Sequence, residues 1–257
     1  MNLEIHGCCF LVTGASSGIG RAIAERLLSE GANVGLVARG QDQLEKTVDE
    51  LRQQYGEGRV VGWPTDCADE FALLELRLQI IQQWERLDGV IANVGDGQSV
   101  PDAIPDSEQW SKVWQTNFET ALNTARVFLP LLQKSSGNLL FIASITGLEA
   151  VGAPVDYSTA KTAVIAFAQN LARKVAPEVR VNVIAPGNVY FPGSSWDDKI
   201  EDDSEKVEQM LQISVPMKRF GTPEEIADAA TFLCSARASF ITGSVMVVDG
   251  GQTVSLL

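Results

Sequence analysis

Residues 13–20 read TGASSGIG. This segment follows the apolar run CCFLVT and precedes a stretch whose apolar residues recur at helical spacing, so it is predicted to join a buried strand to a helix. Its glycines, Gly14, Gly18 and Gly20, permit a tight turn and a close approach of a ligand to the backbone. Free N–H groups and the helix dipole favour an anion at the start of the following helix. A plain strand–helix turn rarely needs three glycines, and a nucleotide phosphate site is therefore predicted.

Outward from this turn, short apolar strands alternate with single helices along the chain, and no linker or repeat interrupts them. Strands separated by single helices imply right-handed crossovers and a doubly wound α/β fold with a parallel sheet, here of seven strands, flanked by helices on both faces. We expect one domain over residues 1–257. Strands are predicted at 8–13, 34–38, 60–63, 88–94, 137–143, 179–185 and 245–248, and helices at 18–30, 41–55, 70–86, 106–133, 157–175 and 222–235.

Tyr157 and Lys161 are four residues apart in a predicted helix, so their side chains are expected to share one face. A lysine ammonium beside a phenol favours the phenolate and lowers the pKa of the tyrosine from its ordinary value of about 10. Such a tyrosine can exchange a proton with an alcohol or ketone near neutral pH. Ser144 can supply a hydroxyl to hold the same oxygen. The spacing alone arises by chance in many helices, and its neighbours decide its meaning.

The order of these motifs along the chain resembles that of the short-chain dehydrogenase/reductases, in the branch of about this length. The resemblance covers nearly the whole chain and implies a single Rossmann-type domain that acts on CH–OH groups with NAD(P). The matching features are TGASSGIG, Asp66 after the third strand, Asn117, Ser144, Tyr157, Lys161, the Pro186-Gly187 turn and ITGSVMVVDGG at 241–251.

The resemblance also implies site residues. Tyr157 would be the general acid/base, Lys161 would tune it and hold the nicotinamide ribose, Ser144 would bind the substrate oxygen, and Asn117 would anchor a water beside Lys161. Asp66 would contact the adenine, and Val189 the carboxamide. The catalytic set is Asn117, Ser144, Tyr157 and Lys161; the cofactor set is Gly14, Ser16, Ser17, Gly18, Ile19, Gly20, Arg39, Asp66, Cys67, Asn93, Gly95, Tyr157, Lys161, Pro186, Gly187 and Val189.

Two segments depart from the family pattern. The Asn-Asn-Ala-Gly that follows the fourth strand in the family is here Ala92-Asn93-Val94-Gly95, which weakens a structural hydrogen-bond position. The threonine common shortly after Pro-Gly is replaced within Asn188–Phe191, which removes an expected contact to the carboxamide. Neither departure removes a catalytic group.

The end of the second strand bears on the choice of nicotinamide cofactor. An acidic residue there would accept hydrogen bonds from both ribose hydroxyls and repel a 2′-phosphate. Ala38 occupies that position and Arg39 follows it. A guanidinium binds phosphate oxygens with two parallel hydrogen bonds, whereas an exposed arginine without a partner is also common. The missing acid and the arginine together predict NADP(H) in preference to NAD(H).

The composition excludes several classes of protein. A net charge of −13 opposes binding to nucleic acid or to an anionic membrane surface. The N-terminus has no basic region before its apolar run, so neither a signal peptide nor an anchor is expected. The cysteines, Cys8, Cys9, Cys67 and Cys234, form no CxxC motif and His6 is the lone histidine, so we expect free thiols, a cytoplasmic protein and no metal site.

Residues 188–215 correspond to the segment that in the family folds over the substrate, and we expect a lid there. Pro192 and Gly193 favour a hinge, and seven acidic residues stand against two lysines. A solvated acidic helix is the alternative interpretation of that charge. Together with the overall charge, it opposes an acidic carrier protein or a coenzyme A thioester. Apolar residues at 94, 150–154, 190–191 and 196 predict a largely apolar pocket.

The predicted function is NADP(H)-dependent interconversion of a small ketone or aldehyde and an alcohol by hydride transfer. A reductase similar to the 3-oxoacyl-carrier-protein reductases is the alternative. A catalytically silent nucleotide-binding regulator and a scaffold protein are the other classes, and the complete set of catalytic residues and the cofactor turn argue against them. By resemblance, the helices at 106–133 and 157–175 would pair between subunits into a homotetramer or homodimer.

Overall fold

The computed structural model describes residues 2–100 and 102–254. Met1, Pro101 and residues 255–257, which the predicted domain 1–257 includes, lie outside this range. Within the described residues, seven parallel strands form one sheet in the order β3-β2-β1-β4-β5-β6-β7. The strands are β1 (Cys9–Thr13), β2 (Asn33–Ala38), β3 (Val60–Pro64), β4 (Gly89–Ala92), β5 (Asn138–Ile142), β6 (Arg180–Pro186) and β7 (Val245–Val248).

Helices cover both faces of this sheet, and the predicted fold class is confirmed. They are α1 (Gly18–Ser29), α2 (Gln41–Tyr55), α3 (Glu70–Trp84), α4 (Ser107–Trp114), α5 (Thr120–Ser135), α6 (Val155–Val175), α7 (Ser195–Ser214) and α8 (Pro223–Cys234). Buried residues of α1, α2 and α8 pack on one face, and those of α3, α5 and α6 pack on the other. Central strands such as β1 and β5 are therefore buried along their whole length, which explains their continuous apolar runs.

Local signals explain where the helices begin. Asp106 caps α4, because its carboxylate accepts a hydrogen bond of 2.9 Å from the N–H of Gln109. Thr222 and Glu225 form a capping box at the start of α8, and Pro223 occupies the first turn. Helix α6 begins at Val155, two residues before its predicted start, so that Tyr157 lies within its first turn.

The stretch predicted as one helix from 106 to 133 is interrupted in the structure. Between α4 and α5 the backbone widens into a π-helical turn over Gln115–Glu119, where the N–H of Thr120 bonds to the carbonyl of Gln115, five residues back. Such wide turns occur frequently at functional sites. Asn117 lies in the middle of this one.

The sheet order places a crevice at its centre. β1 lies between β2 and β4, and the chain winds outward in opposite directions from this pair. In open α/β sheets, ligands bind outside the carboxyl ends of the strands where the winding direction changes. The loops after β1, β4, β5 and β6 meet at this edge, and the predicted site residues lie mainly on them.

Candidate active site

The glycine turn is held in shape by Asn93, which follows β4. The Asn93 Nδ2 donates to the carbonyls of Thr13 at 3.0 Å and Gly14 at 3.1 Å. Gly14 has a φ of +64°, and a Cβ at Gly20 would lie 2.3 Å from the Gly14 oxygen. A side chain at position 20 would therefore break the turn. The turn after β1, the start of α1 and the loop after β4 are therefore held together as one unit.

This unit offers an anion site in front of α1. Helix α1 begins at Gly18, its first turn carries no acidic residue, and the Ser17 side chain makes no capping hydrogen bond. Unpaired N–H groups at such a helix start bind phosphate. The Phe191 ring, from the segment after β6, lies over the turn so closely that a Cβ at Gly18 would be 2.5 Å from it. The backbone here fits a dinucleotide pyrophosphate.

An open groove runs from the glycine turn to β3 on one side and to α6 on the other. Its outer end is lined by residues of the predicted cofactor set, namely Gly14, Ser16, Ser17, Arg39, Asp66, Cys67, Asn93 and Gly95. Its inner part, with a volume of about 440 Å³, adds Ile19, Ser144, Tyr157, Lys161, Pro186, Gly187 and Val189. The structure therefore brings almost the whole predicted set to one groove. Gly18 and Gly20 lie in the turn beneath it.

Ser144, Tyr157 and Lys161 converge in the inner part of the groove. Ser144 follows β5 and begins a short 3₁₀ turn, its Oγ accepting a hydrogen bond of 3.2 Å from the N–H of Thr146. The Ser144 side chain is close enough to the Tyr157 phenol to act on it by hydrogen bonding and to lower its pKa. One helical turn further along α6, the Lys161 Nζ lies 5.7 Å from the centre of the Tyr157 ring and donates to the carbonyl of Ile142 at 3.3 Å.

Asn117 belongs to the same group through the loop after β4. Its Oδ1 accepts from the N–H of Asp96 at 3.0 Å, and its Nδ2 donates to the carbonyls of Asp96 at 3.0 Å and Val113 at 3.1 Å. A Cβ at Gly95 would lie 2.7 Å from the Lys161 Nζ and 3.0 Å from the Asn117 Oδ1. Glycine at 95 therefore leaves room for the lysine beside Asn117.

Burial is the largest cause of the pKa shifts of Tyr157 and Lys161, and for Tyr157 the shift is opposite to the expected one. Desolvation raises the pKa of Tyr157 above its ordinary value, the hydrogen bond from Ser144 acts to lower it, and the Asp96 carboxylate acts to raise it. Desolvation also lowers the pKa of Lys161 to about 8, against a smaller opposing effect of Asp96. The expected lowering of the Tyr157 pKa by Lys161 is therefore absent from the cofactor-free chain. Tyr157 is a phenol there, ready to donate a proton.

Arg39 and the residues opposite it form the outer end of the groove. Arg39 is exposed immediately after β2, and none of the described residues forms a salt bridge with it. Across the groove, Asp66 accepts a hydrogen bond of 2.9 Å from the N–H of Ala68. Burial raises the pKa of the Cys67 thiol to about 12, so this cysteine is inert at neutral pH. Among the residues that the structure describes, the Arg39 guanidinium is thus a cationic group at this end without a salt-bridge partner.

Several functional contacts escaped sequence reasoning. The Thr13 Oγ1 donates to the carbonyl of Ile91 at 3.3 Å and accepts from the N–H of Asn93 at 3.0 Å. The buried Asp156 carboxylate accepts from the Ser99 hydroxyl at 2.6 Å and from the Tyr157 N–H at 2.7 Å. Asp96 borders the catalytic part of the groove. Its place in the loop after a central strand is the sequence signal that could have identified Asp96.

A glycine turn at a helix start, continuous with a groove that holds a Ser-Tyr-Lys group, defines a nucleotide-dependent oxidoreductase of the Rossmann type. Residues 14–253 match a family model described as Enoyl-(Acyl carrier protein) reductase. The chain belongs to the short-chain dehydrogenase/reductase family, as predicted, and is an NAD(P)-dependent enzyme of the alcohol–carbonyl type.

Individual relatives cover the chain from end to end. A cyclohexanol dehydrogenase of Rhodococcus sp. is 35% identical, with 99% of each chain covered. A 3-oxoacyl-[acyl-carrier-protein] reductase of Aquifex aeolicus is 31% identical over 98% of this chain and 100% of its own. The crystal structure of L-sorbose reductase from Gluconobacter frateurii, complexed with NADPH and L-sorbose, superposes with a TM-score of 0.93 at 30% identity, with 100% of both chains covered.

Two further observations concern the described residues alone. None of their helices is both long and apolar enough to cross a membrane. No group of three or more His, Cys, Asp or Glu side chains within 2–100 and 102–254 is arranged to hold a metal ion.

Proposed function

We propose that this protein interconverts a small ketone or aldehyde and its alcohol with NADP(H), using Tyr157 as the general acid/base. The observation that carries the proposal is the convergence of Ser144, Tyr157 and Lys161 in the groove that continues from the glycine turn. When bound, the nicotinamide cofactor supplies or accepts the hydride at the carbonyl carbon.

The chain's own residues handle the oxygen and the proton. Tyr157 donates its phenolic proton to the carbonyl oxygen during reduction and accepts it back during oxidation. Ser144 donates a hydrogen bond to the same oxygen and stabilises the charge that develops there. Lys161, when protonated, stabilises the phenolate that Tyr157 becomes and binds the nicotinamide ribose. Asn117 holds the loop at Asp96 and anchors a water beside Lys161 for proton resupply.

The preference for NADP(H) rests on the outer end of the groove. Ala38 ends β2 at the position where an acidic residue would bind the ribose hydroxyls, and the exposed Arg39 has no salt-bridge partner among the described residues. A 2′-phosphate would supply that partner. The NADPH in the L-sorbose reductase complex is consistent with this assignment.

The family match and the Aquifex relative favour one second candidate, reduction of a 3-oxoacyl carrier-protein thioester. The net charge of −13 and the acidic residues of α7 oppose it, because the carrier and its phosphopantetheine arm are themselves anionic. We therefore propose a small neutral substrate.

We further propose one domain over 1–257 with residues 188–215 as its lid, a cytoplasmic location, and assembly as a homotetramer or homodimer.

The substitution Tyr157→Phe tests the catalytic assignment. We expect the rate of NADPH oxidation with a panel of ketones and aldehydes to fall by about 10³-fold, because general acid/base groups contribute about 10²–10⁴-fold. NADPH binding, followed by fluorescence titration, should change less than about threefold, since the phenol is exchanged for a ring of the same shape. Tyr55→Phe, on α2 away from the groove, is the matched control. Turnover retained in Tyr157→Phe would exclude the proposed role of Tyr157. If the wild type turned over no carbonyl compound at all, a catalytically silent nucleotide-binding protein would be favoured instead.

The substitution Arg39→Ala tests the cofactor assignment. We expect NADPH affinity to fall about tenfold or more while NADH affinity stays within about twofold, because only NADPH carries the 2′-phosphate. Arg26→Ala is the control, since Arg26 is paired with Asp228 at 2.8 Å on the far side of α1. Isothermal titration with both cofactors measures the effect. An unchanged NADPH affinity would show that the assignment is wrong.

A further inference from the structure

The Asp96 carboxylate stands at the groove in a fixed position. Asp96 follows β4 by four residues, and the Asn117 side chain binds both its N–H and its carbonyl at 3.0 Å. Its Oδ1 accepts a hydrogen bond of 2.8 Å from the N–H of Gln98, and its Oδ2 has no hydrogen-bond partner among the residues that the structure describes. The backbone of Asp96 is therefore bound by Asn117 through both its N–H and its carbonyl, while one carboxylate oxygen remains available to a ligand.

This carboxylate faces the reacting groups. Asp96 borders the same part of the groove as Ser144 and Tyr157, and its charge acts on the pKa of both Tyr157 and Lys161. A substrate whose carbonyl oxygen rests between Ser144 and Tyr157 therefore occupies the part of the groove that Asp96 also lines.

The opposite wall of this part of the groove comes from the start of α7. A Cβ at Gly97 would lie 3.6 Å from the Ser195 Oγ, so the loop after β4 approaches the first turn of α7. Trp196 is fixed against Phe220, with ring centres 5.0 Å apart. The groove beyond the catalytic pair thus carries Asp96, Gln98 and Ser195 as polar groups and Trp196 as an aromatic one.

The charges along the groove are unevenly distributed. Arg39, at the cofactor end, and Lys161 are the basic residues among those that line its described part. The Lys199 ammonium lies 4.3 Å from the centre of the Trp196 ring and does not line the groove. Asp197, one residue after Trp196, does not line the groove either, and it accepts a hydrogen bond of 2.5 Å from the N–H of Gly193. An anionic substituent beside Asp96 would meet like charge, whereas the basic groups that line the described groove lie beside Tyr157 and at the cofactor end.

We propose that Asp96 selects the substrate class: it accepts a hydrogen bond from a hydroxyl one or two carbons from the reacting carbonyl and repels a carboxylate in the same place. The preferred substrates are then hydroxyketones and related neutral polyhydroxylated carbonyl compounds. This inference rests on the proposed function, since it concerns the same groove.

Three substrates of matched size test the proposal: 4-hydroxy-2-butanone, 2-pentanone and 3-oxobutanoate. They place a hydroxyl, a methyl and a carboxylate at the same distance from the ketone. For the wild type we expect kcat/KM to decrease in that order. Asp96→Asn should lower kcat/KM for the hydroxyketone about tenfold, mainly through KM, because a hydrogen bond to a charged acceptor is replaced by one to a neutral amide. The same variant should raise kcat/KM for the keto acid about tenfold and change that for 2-pentanone less than about threefold.

The ratios between substrates separate selection from other effects of Asp96. Any influence of its charge on Tyr157 or on the loop acts on all three substrates equally and cancels in the ratios. Asp102→Asn, an exposed carboxylate further along the same loop that does not line the groove, should leave all three values unchanged. A uniform change across the substrates in Asp96→Asn would overturn the proposal and leave the proposed function intact. Failure of the wild type to reduce any of the three, or any other carbonyl, would overturn the proposed function and this inference with it.

Discussion

The floor of the groove, where the proposed catalytic residues Asn117, Ser144, Tyr157 and Lys161 lie, differs in construction from its rim. The rim is formed by Asp96, Gln98, Ser195 and Trp196. Floor residues lie on or directly beside regular elements and are buried, apart from the half-buried Tyr157. Rim residues lie on a loop and on the first turn of α7, a helix in which Leu211 is the buried residue and Asp203 breaks the helical geometry at φ −157° and ψ 84°. Substitutions in the rim can therefore change which substrate binds without changing the residues proposed to carry out the reaction.

The backbone beneath the floor gives the largest expected effect. In Gly20→Ala, the new Cβ would lie 2.3 Å from the Gly14 oxygen and 2.5 Å from the Asn93 Nδ2, so the turn has to open. We expect NADPH affinity to fall by more than about 100-fold and the free energy of unfolding to fall by about 1–3 kcal/mol. Gly58→Ala, where a Cβ meets nothing within 4 Å, is the control. Titration calorimetry and urea unfolding measure both quantities; near wild-type binding by Gly20→Ala would show that the turn does not hold the cofactor.

Lys161 gives an effect of intermediate size on stability. Its pKa is lowered to about 8 in the folded, cofactor-free chain, from an ordinary value of 10.5. Between these values the unfolded chain binds a proton that the folded chain does not, so this group makes stability rise with pH over that interval. The cost of burying the charge is fully present below the folded value and disappears above the ordinary one.

The variant Lys161→Met removes this contribution. Between pH 7 and pH 9.5, the wild type should gain about 2 kcal/mol of unfolding free energy relative to Lys161→Met. Lys174→Met, an exposed lysine on the same helix, should follow the wild type. Urea unfolding of the cofactor-free proteins at both pH values makes the comparison. Parallel pH dependence in wild type and Lys161→Met would contradict the buried, destabilised ammonium.

The rim gives the smallest expected effect. Trp196 contacts Phe220 and Lys199 rather than the sheet, so Trp196→Ala should leave the unfolding free energy within about 1 kcal/mol of the wild type. We expect KM for a bulky ketone such as cyclohexanone to rise about three- to tenfold, while KM for acetone and the affinity for NADPH stay unchanged. Steady-state kinetics with the two ketones distinguishes this from a general loss. Equal changes for both ketones would place Trp196 in the floor instead.

The floor is the part of the site that could be predicted from sequence. The glycine turn and the Tyr157–Lys161 spacing depend on backbone geometry within one or two turns of chain, and the sheet order then brings Ser144 to them. The fold class could be predicted for the same reason, since buried parallel strands require continuous apolar runs in the sequence.

The rim and the electrostatics depend on contacts that no local pattern encodes. The hydrogen bond between Ser99 and Asp156 spans 57 residues, and the Asn117 contacts to Asp96 span 21. The pKa of Tyr157 was expected to be lowered by Lys161, but burial acts on both groups and makes the charged form of each unfavourable. Desolvation is a property of the whole surroundings and is not visible in residue spacing.

The π-helical turn at Gln115–Glu119 constrains the length of the chain itself. The Asn117 amide donates to the Val113 carbonyl at 3.1 Å, in place of the backbone N–H that an α-helix would supply. The wide turn thereby accommodates one residue more than an α-helical turn. The side chains of α4 are rotated about the helix axis relative to those of α5, compared with an unbroken helix. Deleting a single residue here would restore a regular helix and turn either α4 or Asn117 away from its contacts. We therefore expect this segment to tolerate substitutions more readily than insertions or deletions.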